Sequence, residues 1–465
     1  MKVSITKMSR VRSSAELMDR FFQLGYDIPV EDDLSSLFEP VDLASSQLSN
    51  RFTILPMEGW DAETDGNPSE LVERRWMNFA GGGASLLWGC EAAAILPEAR
   101  ANPRQLILDD NTAPAIAELR ANMHEHHRDL FGEDLVSGLQ LTHSGRWSRP
   151  TGGFEPQTLY QHDVLDGRAS ASATSCLDDA DLESLAACFI QRAGLVEQCG
   201  FDFVDFKHCH GYLTHEMLSA VDREGRFGGS FENRTRFTRL VLDGIRKAYP
   251  DLQIAVRLSA YDFLPFEPAE DGVGKPAETQ NRFRFGATPD GLDVNLDETF
   301  QFIQFLERAG VRLLSVTAGS PYYNPHIQRP ALYPPSDGYQ PPEDPLKGVA
   351  RMLWATGEIK KKFPSMMVVG TGYSYLQDWL PQVAAGIVKA GLVDSIGMGR
   401  MALSYPDMPR DLMLGKSLAR KKICRTFSDC TTAPRNGLIS GCYPLDPFYR
   451  KRTEASQLKL IKREA

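Results

Sequence analysis

The sequence lacks the features of a membrane or secreted protein. It contains no run of about 18 apolar residues, the length that a transmembrane helix requires. Its first residues, MKVSITKMSRVRSSAELM, lack the uninterrupted apolar core of a secretory signal. Eight cysteines are scattered through a chain of 465 residues. We therefore expect reduced thiols, a cytoplasmic location and no membrane partner.

The sequence also lacks an excess of basic charge. Lysine and arginine total 51 against 61 acidic residues, which gives a net charge of −10. Such a chain does not attract phosphate backbones or anionic lipid non-specifically, so nucleic acid is excluded as an expected partner. We find no internal repeat. A small-molecule substrate is the expected partner, and a homo-oligomer remains an open alternative.

Short apolar or β-branched runs recur along the chain, and each is followed by turn residues and a stretch with helical periodicity. A repeated strand-helix order implies parallel strands, and eight such units favour a closed (β/α)8 TIM barrel over an open sheet. The eight runs are RFTIL from Arg51, ASLLWG from Ala84, LVSGLQL from Leu135, FDFVDF from Phe201, QIAVRLS from Gln253, RLLSVTA from Arg312, MMVVGTG from Met366 and VDSIGMG from Val393.

The pattern divides the chain into three parts. We predict an N-terminal extension at residues 1–33, a barrel at 34–415 and a C-terminal tail at 416–465 that packs on the barrel. Two connections, 144–180 and 261–296, are long and rich in Gly, Pro, Ser or charge. Because they follow strand ends on the face where barrels place their sites, we expect them to shape a pocket.

Polar chemistry concentrates at the predicted C-terminal ends of the strands, which converge in a barrel. VDFKHCHGYL (204–213) places two histidines and Lys207 directly after the fourth strand. GTG (370–372) and GMGR (397–400) follow the seventh and eighth strands, where barrels frequently hold a phosphate. Arg400 would add a bidentate contact. The alternative is that these glycines only permit tight turns.

Gln140 and Arg257 end two further strands and carry amide and guanidinium donors that suit a heterocycle with carbonyl and ring-nitrogen acceptors. Alternatively, Arg257 pairs with an interior acid such as Asp205. Trp60 and Trp147 either wall the pocket or pack elsewhere.

With these motifs, the chain resembles the old yellow enzyme family of FMN-dependent oxidoreductases. The likeness is strongest to the branch that includes the barrel domain of 2,4-dienoyl-CoA reductase and trimethylamine dehydrogenase. The matching segments are LFEPVDLASSQLSNRFTILPM (37–57), GLQLTHSGR (138–146), HGYL (210–213), REGRFGGSFENRTRF (223–237), VRLS (256–259) and DSIGMGRMAL (394–403).

The resemblance implies FMN as cofactor and NADH or NADPH as electron donor. It implies that flavin passes hydride to an alkene conjugated to a carbonyl or carboxyl group, with Tyr212 as the proton donor and His210 and Lys207 as binders of the substrate carbonyl. It also implies which residues contact the flavin. Pro56, Met57 and Ala92 would line the isoalloxazine ring, with Glu58 beside it; Gln140 and Arg257 would meet the pyrimidine edge, and Gly372, Gly399 and Arg400 would hold the phosphate.

The chain departs from the family pattern at two places next to the expected flavin. Lys207 stands where most members have a histidine, and Glu58 stands where the family usually has a small or hydroxyl-bearing residue. A buried lysine needs a partner, so we predict that Glu58 and Lys207 form an ion pair near the flavin. Whether the pair serves the substrate or only the structure remains open.

The tail departs from the iron-sulfur members of the family. Their C-x2-C-x3-C-x11-C pattern supplies four thiolates to one cluster. Here CRTFSDCTTAPRNGLISGC provides only Cys424, Cys430 and Cys442, and Phe427 replaces the second cysteine. We therefore expect no iron-sulfur cluster and no metal. No G-x-G-x-x-G follows a strand in the tail, so we expect electrons to reach FMN directly from a nicotinamide or from a partner protein; the resemblance to short-chain relatives favours the nicotinamide.

Two other functions remain open. The first keeps the flavin but oxidises a C–N bond, as an amine dehydrogenase or demethylase; the cation of Lys207 would repel a protonated amine and disfavour it. The second is a flavin-free barrel that binds an anionic metabolite, as a lyase, an aldolase or a binder, with Lys207 forming a Schiff base.

Overall fold

Eight parallel strand units alternate with helices and close into the predicted (β/α)8 barrel in this computed structural model, which describes residues 4–43 and 46–464. The strands are β1 (Phe52–Ile54), β2 (Leu86–Leu87, resumed at Ala92–Ala94), β3 (Val136–Thr142), β4 (Phe203–His208), β5 (Gln253–Ser259), β6 (Leu313–Thr317), β7 (Met367–Gly370) and β8 (Ser395–Met398). The outer helices are α1 (Glu70–Ala80), α2 (Ala113–Phe131), α3 (Asp179–Gln198), α4 (Arg236–Ala248), α5 (Asp297–Arg308), α6 (Pro345–Lys362), α7 (Leu380–Lys389) and α8 (Met408–Met413).

The barrel closes where the last strand pairs with the first. Ile396 of β8 lies opposite Phe52 of β1, and Met398 lies opposite Ile54. Strand β2 is interrupted, and both of its parts pair with β3. Every one of the eight predicted runs therefore becomes a barrel strand.

Strand β4 shows how alternation assigns side chains to the site. Phe206 and His208 face outward, where Phe206 packs on Phe189 of α3 and His208 hydrogen-bonds Thr238 of α4 at 2.8 Å. Because successive side chains of a strand point to opposite faces, Lys207 faces the barrel interior. The two neighbours in sequence thus have unrelated roles.

An apolar plug fills the lower part of the barrel. Its residues come mostly from the first positions of the strands, so the polar residues that follow lie above it at the C-terminal mouth. The plug consists of Leu55, Leu86, Trp88, Val136, Phe203, Ala255, Leu313, Met367 and Val369, joined by Val41 and Leu48.

The two long connections fold against each other beside the mouth. The first contains short helices at Gly145–Trp147 and Leu165–Ala169, and the second contains a hairpin of Phe266–Pro268 and Gly274–Pro276. Neither connection lines the main cavity; both line a small second pocket, with Trp147 from the first connection and Arg284 from the second. The first connection supports the wall of the main cavity from outside, because its Trp147 stacks on Tyr322, which lines that cavity.

The extension and the tail both pack on the barrel. The N-terminal helix Ser14–Gln23 buries Leu17 and Phe21 completely. The tail forms short helices at Asp429–Arg435 and Pro447–Arg450 before the last helix, Glu454–Glu464, and Asp446 pairs with Arg74 of α1 at 2.9 Å. Residues 1–3 of the predicted extension, 44–45 of the predicted barrel and 465 of the predicted tail lie outside the described residues. Among the described residues, no helix combines the length and apolar composition that crossing a bilayer requires.

Candidate active site

A cavity of about 610 Å³ opens at the C-terminal ends of the strands. All of the site residues predicted from the sequence line it except Ala92. Ala92 is buried beside the cavity, pairs in register with Gln140, and its carbonyl accepts a hydrogen bond from Gln105 at 2.9 Å. The lining residues are Pro56, Met57, Glu58, Gln140, Lys207, His210, Tyr212, Arg257, Gly372, Gly399 and Arg400.

Glu58 connects the loop after β1 to the end of β4. One of its carboxylate oxygens, Oε1, forms a short ion pair with Lys207 Nζ, as the sequence predicts. The other, Oε2, accepts a hydrogen bond from the Tyr212 hydroxyl at 2.6 Å and a longer one from the Trp60 indole at 3.3 Å. Lys207 Nζ also lies 3.9 Å from the centre of the Tyr212 ring. Glu58 therefore fixes both Lys207 and Tyr212.

The turn after β4 presents His210 and Tyr212 to the cavity. His210 adopts a left-handed conformation with φ of 68°, which is unusual for a residue with a side chain, and Gly211 follows with φ of 76°. The His210 backbone N–H donates to Ser259 Oγ at 3.2 Å, and its ring Nε2 lies 3.2 Å from Gln328 Nε2. This arrangement holds the imidazole at the mouth.

Burial and neighbouring charge keep His210 neutral. Desolvation is the largest cause, and the cations Arg257 and Lys207 add to it, so the pKa of His210 lies well below its ordinary value. A neutral imidazole can donate one hydrogen bond without bringing charge. His210 therefore suits a substrate oxygen as a neutral donor.

The surroundings of Tyr212 favour its protonated form. Burial is the main cause, and the Glu58 carboxylate and the hydroxyl of Tyr322 add to it, so the pKa of Tyr212 is raised well above its ordinary value. The two tyrosine hydroxyls lie 3.1 Å apart. Trp147 stacks on Tyr322 with ring centres 4.5 Å apart and planes within 4°, and its indole donates to the Gly211 carbonyl. Trp60 lines the cavity, whereas Trp147 supports its wall from outside.

Gln140 and Arg257 lie on either side of a buried acid. Asp205 Oδ2 accepts a hydrogen bond from Gln140 Nε2 at 2.5 Å. Because a carboxylate only accepts, the amide nitrogen must face Asp205, and the amide oxygen points away from it. Arg257 Nε is buried without a hydrogen-bond partner within the described chain. Burial raises the pKa of Asp205 to about 6, although the Gln140 hydrogen bond and the Arg257 charge oppose the rise.

Gly372 after β7 and Gly399 after β8 have different structural surroundings, and only one of them must be glycine for the fold. Gly372 has φ of 98°, and an added Cβ would meet Met352 Sδ at 2.8 Å, so the turn itself requires glycine. At Gly399 an added Cβ would meet no protein atom closer than 3.9 Å. The fold therefore leaves open space beside Gly399, and the next residue, Arg400, lines the same cavity and has a buried Nη1 without a partner among the described residues.

Sequence reasoning missed the part of the wall that comes from the β6–α6 connection and the tail. Tyr322, Gln328 and Arg329 come from the connection, and Cys430 and Arg435 come from the tail. The tail cysteine pattern singled out Cys430, but no motif marked the other four residues, because a loop contact across more than 100 residues leaves no periodic signal. The C-terminal tail thus forms one side of the cavity.

The tail cysteines are free thiols in the structure. Cys430 and Cys442 line the cavity, and Cys424 is buried behind them. Within the described residues, no group of three or more His, Cys, Asp or Glu side chains is arranged to hold a metal ion. The absence of an iron-sulfur cluster stays a prediction.

The residues present fit FMN. A flavin offers a pyrimidine edge that both donates and accepts, and a phosphate dianion. For the pyrimidine edge, the cavity supplies the Gln140 amide and Arg257. For the phosphate, it supplies Arg400 and the open space at Gly399. The buried unpaired donors of Arg257 and Arg400 are the feature that a bound anionic cofactor would satisfy.

The chain belongs to the NADH:flavin oxidoreductase / NADH oxidase family, because the sequence profile of that family matches residues 36–280. Membership implies a flavin with a nicotinamide as electron donor. Among curated relatives, an NADPH dehydrogenase of Geobacillus thermodenitrificans is 27% identical over 288 residues, which are 61% of this chain and 73% of the relative. An NADPH dehydrogenase of Geobacillus sp. is 28% identical over 49% of this chain, and the match spans 64% of that relative.

Solved structures share the fold at low sequence identity. The 2-naphthoyl-CoA reductase in complex with 2-naphthoyl-CoA matches with a TM-score of 0.68 and 19% identity, over 92% of this chain and 58% of that one. Histamine dehydrogenase from Rhizobium sp. 4-9 matches with a TM-score of 0.64 and 20% identity, over 90% of this chain and 53% of that one. Morphinone reductase matches with a TM-score of 0.56 and 18% identity, over 82% of this chain and 91% of that one. The chain therefore spans little more than half the length of the 2-naphthoyl-CoA reductase and histamine dehydrogenase chains.

Proposed function

We propose that the protein is an FMN-dependent NAD(P)H oxidoreductase that reduces an alkene conjugated to a carbonyl or carboxyl group. The observation that carries this proposal is that Tyr212, a tyrosine whose pKa burial raises, lies beside two oxygen-binding donors, His210 and Lys207, in one cavity. Family membership supports the flavin over a flavin-free lyase or aldolase.

Bound FMN would supply the hydride chemistry, taking a hydride from NADPH or NADH and passing it to the substrate. Gln140 and Arg257 would hold its pyrimidine edge, with Pro56, Met57 and Glu58 beside the ring system. Gly372, Gly399 and Arg400 would hold its phosphate.

The donors at the end of β4 would bind and polarise the substrate carbonyl. His210 donates from a neutral ring, and Lys207 donates from an ammonium whose charge is offset by Glu58. Polarisation by two donors makes the far alkene carbon more electrophilic, which is where a hydride adds. The ion pair also keeps the site from carrying an unbalanced charge near that carbon.

Tyr212 would supply the proton that completes the reduction. Its raised pKa keeps the phenol protonated at neutral pH, so that it acts as an acid and not as a base. The hydroxyl of Tyr322, at 3.1 Å, is placed to return a proton to Tyr212 after each turnover.

An anaerobic two-step assay tests the proposal. Protein purified with FMN should be yellow, should bleach with NADPH or NADH, and should recover its colour when an enone, an enoate or an unsaturated carboxylate is added. Tyr212→Phe serves as the matched control, because it should bleach normally and recover slowly. Folded protein that does not bind FMN at all would contradict the proposal.

Oxidation of an amine is the second candidate, and Glu58 is the observation that favours it. The carboxylate lies among the aromatic side chains of Trp60, Tyr212 and Tyr322, a combination that attracts cations. Lys207 already occupies that carboxylate, which is why alkene reduction ranks first. Anaerobic bleaching by an amine without any nicotinamide would reverse the order.

A further inference from the structure

Two arginines meet at one end of the cavity without an acidic partner. Arg400 follows β8, and Arg329 follows the short helix Pro325–Gln328 in the β6–α6 connection. Within residues 4–43 and 46–464, the Arg400 side chain donates only to the Pro330 carbonyl at 3.1 Å, and the Arg329 side chain donates only to the Thr431 hydroxyl. Nη1 of Arg400 and Nη2 of Arg329 are buried and have no hydrogen-bond partner in the part of the chain that the structure describes.

The electrostatics at this end of the cavity call for an anion. Burial, with the positive charges of Arg435 and Arg400, lowers the pKa of Arg329 to about 9. Asp337 is already paired with Arg435 at 2.7 Å, and its side chain is 54% exposed. Uncompensated buried charge is costly, so a fold that places two guanidinium groups together without a carboxylate leaves room for an anionic ligand.

We propose that Arg329 is the second arm of a phosphate site shared with Arg400, and that its occupant is the phosphate of FMN. This inference rests on the proposed function, which assigns Arg400, Gly372 and Gly399 to that phosphate but leaves Arg329 without a role. Two guanidinium groups match the two negative charges of a phosphate monoester, and each has an unused buried N–H to donate.

The C-terminal tail completes this site. The Thr431 hydroxyl accepts the hydrogen bond that holds Arg329, and Thr431 and Arg435 both belong to the short helix Asp429–Arg435. Arg435 also donates from Nη2 to the Pro321 carbonyl at 2.8 Å, which joins the tail to the β6–α6 connection. The tail therefore positions a phosphate-binding arginine that the barrel alone could not fix.

Comparison of FMN with riboflavin isolates the phosphate. The holoenzyme is stripped of flavin and titrated with each ligand, and binding is followed by quenching of flavin fluorescence. We expect Arg329→Met to weaken FMN about 10- to 100-fold, the range of one hydrogen bond to a charged group, and to change riboflavin less than about threefold. Because riboflavin reports an intact pocket, a folding defect would lower both affinities together.

Two further variants sharpen the result. Thr431→Val removes the support of Arg329 and should weaken FMN by about threefold, again sparing riboflavin. Arg420→Met is the matched control, since Arg420 is an exposed tail arginine, 74% accessible, paired with Asp378 away from the cavity lining. It removes one positive charge from the tail and should leave the ratio of FMN to riboflavin affinity unchanged.

Three outcomes would overturn the inference. An unchanged ratio of FMN to riboflavin affinity in folded Arg329→Met protein excludes Arg329 from the flavin phosphate. If Arg329→Met leaves the ratio of FMN to riboflavin affinity unchanged but raises the KM of the FMN-loaded enzyme for phosphate-bearing acceptors, Arg329 would be assigned to a substrate phosphate. If the wild-type protein binds neither flavin, the proposed function fails together with this inference.

Discussion

The Tyr212 hydroxyl donates a hydrogen bond of 2.6 Å to the carboxylate of Glu58, whose other oxygen is paired with Lys207. The proton donor of the proposed reaction is thus tied to both residues at which this chain departs from the family pattern. A substrate must compete with Glu58 for Tyr212, and Glu58 also restrains the ammonium that would bind the substrate oxygen. This relationship makes the two departures a single structural unit.

Removal of the Tyr212 hydroxyl should separate the two half-reactions. We expect Tyr212→Phe to slow reoxidation of the reduced flavin by an enone about 10²- to 10⁴-fold, the usual contribution of a positioned general acid. Bleaching by NADPH should keep its rate, because that step needs no proton from Tyr212. Anaerobic stopped-flow absorbance measures both rates. Tyr322→Phe, which removes only the hydroxyl that returns the proton to Tyr212, should slow this reoxidation less than about tenfold.

Lys207→Ala tests the substrate role of the lysine. We expect kcat/KM for carbonyl-conjugated acceptors to fall about 10- to 100-fold, since a hydrogen bond from a charged donor is lost. Flavin content and bleaching by NADPH should stay at wild-type levels. Lys389→Ala is the control, because that lysine pairs with Glu31 on the surface. A Lys207→Ala enzyme that binds flavin and reduces every tested acceptor normally would leave the ion pair a structural role only.

Glu58→Gln should destabilise the protein by leaving a buried ammonium without its counter-charge. Lys207 is 3% exposed in its side chain and Glu58 is 15% exposed. We expect a loss of about 3 kcal/mol in the free energy of unfolding, measured by urea denaturation of the holoenzyme. The Glu58→Gln/Lys207→Met double variant should recover part of that loss. Strictly additive effects would show that the two residues are not coupled.

Arg257→Met should lower the reduction potential of the bound flavin. The guanidinium supplies positive charge, with a buried and unpaired Nε, where the pyrimidine edge would gain electrons. Loss of one charge-assisted hydrogen bond corresponds to about 30–60 mV for a two-electron couple. Equilibration against a reference dye measures the shift, and Arg420→Met, which lies outside the cavity lining, should show none. A potential that does not change would contradict the assignment of Arg257.

Asp205 should make the folded state less stable as pH rises through the weakly acidic range. Burial raises its pKa to about 6 in the folded protein, against about 3.9 in the unfolded chain, so the folded state binds more protons between these values. Stability is therefore lost as pH rises from about 4 to about 6, by about 3 kcal/mol in total. Asp205→Asn should remove this part of the slope and leave the part due to Glu91, whose pKa burial raises to about 7. Urea unfolding at several pH values measures it, and an unchanged slope would exclude Asp205 as its source.

The sequence by itself determined the barrel and most of the residues at its mouth. Alternating apolar runs and helical periods encode eight strand-helix units locally, and residues in or just after the C-terminal part of each strand must lie near the mouth, because parallel strands all end there. This is why the strand pattern alone predicts Gln140, Lys207, Arg257 and Arg400 in one cavity, where all four lie. The Glu58–Lys207 pair followed from the family resemblance, which places both residues beside the flavin, because a buried lysine requires an acid nearby.

Only the tertiary structure decided which long-range segments close the site. The long connections at 144–180 and 261–296 carry the composition of lids, yet they fold on each other, and the wall comes from the β6–α6 connection and the tail. Arg329 is held by Thr431, a contact that spans 102 residues. Such contacts depend on shape and charge complementarity between surfaces that form only after the barrel has folded, and no local period in the sequence records them.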